Sequence, residues 1–126
     1  MYYRVLSGTR GIYAAIDADC PAGDSRRNTK PDGSWLKKVG NDYLGAVSLW
    51  TGAGMRKYID SGLFAWHVAV VKEDVVVQLV KLPAEILYED DLQVICKPEG
   101  IRPVGSVPFE EFLQGFQELS DESLNK

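Results

Sequence analysis

Residues 75–81, VVVQLVK, constrain this chain more than any other stretch. Three valines and a following Leu-Val pair make the run β-branched and apolar on both faces. A strand sends successive side chains to opposite faces. Such a run therefore fits the middle of a sheet covered on both sides. Ahead of it lies the short polar connection Lys72, Glu73, Asp74. Before that, residues 64–71 alternate, with Phe64, Trp66, Val68 and Val70 on one face. The spacing predicts a hairpin of two strands. On the first of them His67 shares the other face with Ala65 and Ala69, so it is expected to be partly exposed.

The remaining elements follow from the same periodicities. Residues 2–6 read as a first strand ended by Ser7-Gly8. Ile12, Ala15 and Ile16 have helical spacing, which predicts one or two turns over residues 11–18. Residues 20–33, CPAGDSRRNTKPDG, are a long polar loop carrying Arg26, Arg27 and Lys30; loops of that length are commonly functional or disordered. A helical turn is predicted over residues 35–39. Residues 45–50, GAVSLW, read as a strand. Thr51 is placed as the N-cap of a helix with Met55, Tyr58 and Ile59 as its apolar stripe, and Gly62 as its stop. Residues 86–88 and 93–96 are short strands around an acidic turn. Residues 100–107 look irregular around Pro103 and Pro108. Phe109, Phe112, Leu113 and Phe116 fall at i, i+3, i+4, i+7, an amphipathic helix. Strands cluster in the second half. The reading is a single α+β domain over residues 1–119, with a mixed, mostly antiparallel sheet and a few short helices, then a polar tail at 120–126.

Composition removes several function classes. A chain of 126 residues with a net charge of −4 suits one domain and is not, as a whole, a nucleic-acid binder by charge. One histidine and two distant cysteines, Cys20 and Cys96, do not make a structural zinc site. No metal is expected. Two reduced thiols suit a cytosolic protein, and one disulfide between them stays open. The start, MYYRVLSGTR, carries no apolar signal core, and no run is long enough for a membrane span. The expected location is the cytoplasm, or a host cytosol into which the protein is delivered.

Four segments hold residues able to do chemistry. They are Arg4 with Ser7-Gly8-Thr9, the segment from Ser48 through Leu49 and Trp50 to Thr51, the basic loop, and Glu85 in LPAEILYEDDLQVICK (82–97). Small residues let a ligand approach the backbone, and a helix start after Thr51 favours anions. Each also has a plain structural reading. Glu85 can be a solvated carboxylate at a strand start, and Arg4 an edge cation paired with Asp17 or Asp19. Ser7-Gly8-Thr9 can be a turn, Ser48 to Thr51 a strand end with its cap, and Arg26, Arg27 and Lys30 a solvated loop. Trp35, Trp50 and Trp66 can be core.

Taken in order, these segments resemble the ADP-ribosyltransferase fold shared by bacterial toxins and poly-ADP-ribose polymerases. Tyr3-Arg4-Val5 resembles the Arg strand of that family. Ser7-Gly8-Thr9 resembles its H-G-T element, with Ser in place of His. Ser48-Leu49-Trp50-Thr51 resembles its middle motif, running into a helix. Glu85-Ile86-Leu87-Tyr88-Glu89, followed by Gln93-Val94, resembles its Glu strand. Toxins that modify arginine or asparagine usually carry Glu or Gln two residues before the catalytic Glu, where Pro83 stands here.

The resemblance implies NAD as substrate and transfer of ADP-ribose to a protein or nucleic-acid target. Glu85 would stabilise an oxocarbenium-like transition state. Arg4 would contact NAD phosphate, Ser48 would brace Glu85, and Trp50 or Tyr13 would pack on the nicotinamide. Gly8, between Ser7 and Thr9, would leave backbone free for the NAD amide. The alternative expectation is a non-catalytic small binding protein, an inhibitor, immunity or phage-encoded factor, acting through one protein partner.

Overall fold

The computed structural model describes residues 1–39, 42–81 and 85–124. The chain is a small single-domain α+β fold. In order it forms β1 (Tyr2–Ser7), β2 (Arg10–Gly11), α1 (Ile12–Asp19), a 3₁₀ helix (Ser25–Thr29), β3 (Val47–Trp50), α2 (Gly52–Asp60), α3 (Leu63–Val70), β4 (Val75–Val80), β5 (Ile86–Glu89), β6 (Gln93–Cys96), β7 (Pro103–Pro108) and α4 (Phe109–Leu124). Among the described residues the strands make one seven-stranded sheet, β5-β6-β3-β1-β4-β7, with β2 beside β1. All of these pairings are antiparallel.

The valine run does lie inside the sheet. β4 pairs with β1 along its whole length, Tyr2↔Val80 through Ser7↔Val75, and with β7 on its other edge. Its faces join two cores. Val75 and Val77 pack with Val5, Ile12, Ile16, Trp50, Tyr58 and Phe64. Val80 packs on the opposite face with Val47, Leu49, Val94 and Cys96. Cys20 and Cys96 are buried and not joined in a disulfide, one in each core.

The expected hairpin partner of β4 is a helix instead. Residues 63–70 form α3, whose backbone enters through Gly62 at φ 82, a left-handed conformation that glycine adopts without a Cβ clash. Leu63, Phe64, Trp66, His67 and Val70 are buried. Leu63, Trp66, His67 and Val70 fall at i, i+3, i+4, i+7, a helical face once His67 counts as a core residue, and Phe64 widens it. His67 is therefore 1 % exposed, not partly exposed on a strand. Residues 100–107, expected to be irregular, contribute the edge strand β7. Its prolines sit at the first and last positions, where no ladder N–H is lost inside the sheet. Residues 35–39 form no helix. α4 begins directly after Pro108 and continues to Leu124, past residue 120 where the polar tail was expected to start.

The predicted cap of α2 is present. Thr51 Oγ1 accepts from Gly54 N at 2.9 Å and donates to the Asp91 carbonyl at 2.6 Å. The long loop after α1 is built rather than loose. Arg26 donates to Asp24 and to the backbone carbonyls of Asp19 and Val70. Arg27 donates to the Cys20 carbonyl at 2.7 Å. Trp66 Nε1 closes the loop from α3 by donating to the Arg26 carbonyl. Arg26 thus holds the end of α1 to α3.

Candidate functional site

A fork in the sheet creates a cleft. β1 touches β3 at Tyr3↔Trp50. Further along the same edge β2 takes over, pairing Leu6↔Gly11 and Ser7↔Arg10. Between these contacts the edge of β1 opens at Arg4 and Val5. The cleft there has a volume of about 200 Å³ and is lined by Arg4, Gly11, Tyr13, Ser48, Trp50 and Gln93, among others. Pockets for drug-sized ligands span roughly 300–1,000 Å³. This one seats a single ring with its substituents, with the remainder of a larger ligand outside.

Arg4 is half-buried, and among the described residues it forms no hydrogen bond or ion pair. Neither Asp17 nor Asp19 holds it. Asp19 is taken by Arg10, through bonds of 3.2 and 2.8 Å, and Asp17 lies beside Arg27. A guanidinium with free donors at a cleft is suited to an anion.

Trp50 forms the aromatic wall. It stacks on Tyr58 at 4.5 Å and 18°, and Tyr58 stacks on Phe64 at 4.8 Å and 8°. Trp35 lies against Trp50 with centroids 5.9 Å apart and planes tilted by 36°. The stack is fixed by a buried bond of 2.6 Å between the Tyr58 hydroxyl and His67 Nδ1. Tyr13 meets His67 edge-on at 5.3 Å, and burial pushes its hydroxyl up to about 12. Burial, with Lys30 nearby adding to it, depresses His67 to about 3. His67 is thus a neutral structural partner and no general base at ordinary pH.

That depression makes a pH prediction. The folded pKa lies below the unfolded value of about 6.5, so the stability is present above 6.5 and is lost as pH falls through that value toward 3. Denaturant titration is expected to show a loss of about 2 kcal/mol between pH 7.5 and pH 5. His67 is the chain's only histidine, and the carboxylates of Asp19, Asp24 and Asp90 are held below the usual range by hydrogen bonds. They titrate under this window. An unchanged stability between pH 7.5 and 5 would contradict the buried neutral histidine.

Of the residues expected at the site, Arg4, Ser48 and Trp50 meet at the cleft. Ser7, Gly8 and Thr9 lie outside its lining. Gly8 takes φ 61 in the two-residue hairpin loop between β1 and β2, as the first position of a II′ turn requires. Ser7 Oγ donates to the Glu73 carbonyl at 3.0 Å, and Gly8 N to the Asp74 carbonyl at 2.9 Å. The segment ties β1 to the start of β4. Thr51 is occupied as a cap, as described above.

Glu85 stands before β5, exposed, with its carboxylate 2.9 Å from Lys97 Nζ. Its carbonyl accepts from Lys97 N at 3.0 Å. The β5-β6-β3 register puts it on the face that carries Ser48, two strands away. Two strand spacings are roughly 10 Å. Glu85 is thus at the rim, outside the cleft lining. Pro83 lies outside the described residues.

Gln93 is the cleft residue that reading the sequence for chemistry passed over. It is buried, and its Nε2 donates to the Lys37 carbonyl at 2.8 Å and to Asp90 Oδ2 at 3.3 Å. Asp90 also accepts from Tyr88 and from the amides of Leu92 and Gln93. The acidic turn therefore anchors β6 beneath the cleft. No protein-family model, curated protein or solved structure matches the chain. Among the described residues no helix is long and apolar enough to cross a membrane.

Proposed function

We propose that the chain is an NAD-dependent, ADP-ribosyltransferase-like protein that takes the dinucleotide at the β1–β3 fork. The supporting observation is that Arg4, Ser48 and Trp50 all line one cleft through the fork, Ser48 and Trp50 from the helix-covered face of the sheet and Arg4 from the opposite face, with Arg4 unpaired among the described residues. The guanidinium supplies donors for a phosphate. Trp50 lines the cleft where the nicotinamide ring would sit, and the cleft volume matches one ring of the ligand. In the reaction, the bond between the nicotinamide nitrogen and ribose C1′ breaks, and both electrons leave with nicotinamide. A nucleophile on the macromolecular target adds to C1′ and loses its proton. A carboxylate beside the cationic ribose lowers that barrier. Glu85 is assigned this role from the rim. It must turn from Lys97 to do so, and an exposed ion pair costs only about 0–1 kcal/mol to open.

The expected result is that purified protein releases nicotinamide from NAD and that Glu85→Ala lowers the rate by about 100-fold or more. The melting temperature should stay within a degree or two, because the pair with Lys97 is solvated. Release undiminished in the variant would remove Glu85 from the chemistry.

The exposed position of Glu85 favours a second reading, a non-catalytic protein that binds a partner through the same fold. NAD binding without turnover, together with one stoichiometric protein partner, would support it.

A further inference from the structure

The sheet face opposite α1, α2 and α3 is apolar around Val47, Leu49, Val80, Val94 and Cys96. One polar row interrupts it. Arg4, Gln78 and Ser106 stand in register across β1, β4 and β7. Directly opposed residues of an antiparallel pair have Cβ atoms about 4.5–5.5 Å apart, well within the reach of an arginine side chain. Gln78 Oε1 is buried and has no hydrogen-bond partner, the one side-chain atom in that state among the described residues. Arg4, beside it, has donors without acceptors among the described residues. A buried unsatisfied acceptor is destabilising. Its placement opposite an unpaired guanidinium therefore calls for a use.

We infer that Gln78 is the positioning residue for Arg4. Its Oε1 accepts from one N–H of the guanidinium when an anion engages the others. The inference rests on the reading of the fork as an anion site. The amide suits this role better than a carboxylate. Guanidinium donors form a rigid planar fork, so one fixed bond orients the rest. A carboxylate opposite Arg4 would fix the fork equally well but would cancel the charge that draws the anion. A neutral amide orients it and leaves the charge intact.

Gln78→Met keeps the side-chain volume and removes the acceptor. It should raise Tm by about 4 °C, because an unsatisfied buried oxygen is gone. It should also weaken binding of inorganic pyrophosphate by about tenfold, measured by calorimetry at low salt. Gln78→Glu should weaken pyrophosphate binding further, since its carboxylate neutralises Arg4. A packing role alone would leave pyrophosphate affinity unmoved. Equal pyrophosphate affinity in wild type and both variants overturns the inference, and so does a wild type that does not bind pyrophosphate. NAD titrated alongside separates the two readings. Gln78-dependent pyrophosphate binding without NAD binding upholds the positioning role and removes the NAD reading. NAD binding that is indifferent to Gln78 does the reverse.

Discussion

Gly54→Ala is expected to destabilise the protein by about 3 kcal/mol, against the usual direction of a glycine-to-alanine change in a helix. Inside α2, alanine would normally gain about 1 kcal/mol from helix propensity. Here a Cβ would overlap the backbone carbonyl of Leu92, together with its carbonyl carbon and Cα. Backbone cannot step aside as a side-chain tip can. The same carbonyl accepts from Thr51 N at 3.1 Å, and the neighbouring Asp91 carbonyl accepts from the Thr51 hydroxyl. Moving α2 away from Leu92 therefore also breaks the cap of the helix and its attachment to the β5–β6 turn. Denaturant unfolding of the variant checks this. A variant as stable as wild type would mean that α2 does not lie against Leu92. The contact matters for the cleft, because Trp50 ends β3 immediately before Thr51.

Asp19→Ala is expected to lower Tm by more than about 10 °C. Its carboxylate is 7 % exposed and is gripped twice by Arg10, while Lys72 N donates to Oδ2 at 2.9 Å. Removing it leaves a guanidinium and a backbone N–H without their acceptor. Asp19 ends α1, Arg10 belongs to β2, and Lys72 precedes β4, so the single side chain ties three elements around the fork. Asp19→Asn retains an acceptor for the Lys72 amide but loses the ion pair, and should fall between wild type and alanine. Thermal melts at pH 7 rank the three. The Arg10 hydrogen bond, then the bond from Lys72, hold the Asp19 carboxyl below the usual range. Its contribution is thus present above the unfolded carboxylate pKa and is lost as pH falls through the folded value. An alanine variant that melts with wild type would place the acid in solvent.

Much of the scaffold was legible because local rules and tertiary packing agree there. The valine run demanded two apolar layers and lies between two cores. Thr51, the stripe at Met55 and Tyr58, and Gly62 mark α2 as caps and periodicity lead one to expect. The Phe109 helix starts after its proline. Disagreement came where one pattern serves two periods. Phe64, Trp66, Val68 and Val70 alternate, yet Leu63, Trp66, His67 and Val70 also trace a helix. The choice turns on whether a histidine is core, and Tyr58 decides that through a hydrogen bond from another helix. β7 was hidden by prolines that are harmless at strand ends.

At the site, Arg4, Ser48 and Trp50 were legible as residue types, and the fork brings them together. Ser7-Gly8-Thr9 had been open to two readings, and its bonds to Glu73 and Asp74 are those of a turn. Gln78 carried no signal, and Gln93 entered only as part of the Glu-strand resemblance. Their importance depends on which residues stand opposite in the sheet, and strand register across most of the chain's length is not written in any local pattern.

The most direct test of the central claim is NAD titration of wild type and Arg4→Ala by calorimetry, with intrinsic tryptophan fluorescence recorded in parallel. The cleft reading predicts saturable binding with quenching in wild type, and affinity weakened by about tenfold to a hundredfold in the folded variant. No NAD binding by wild type, or equal binding by both proteins, would contradict it.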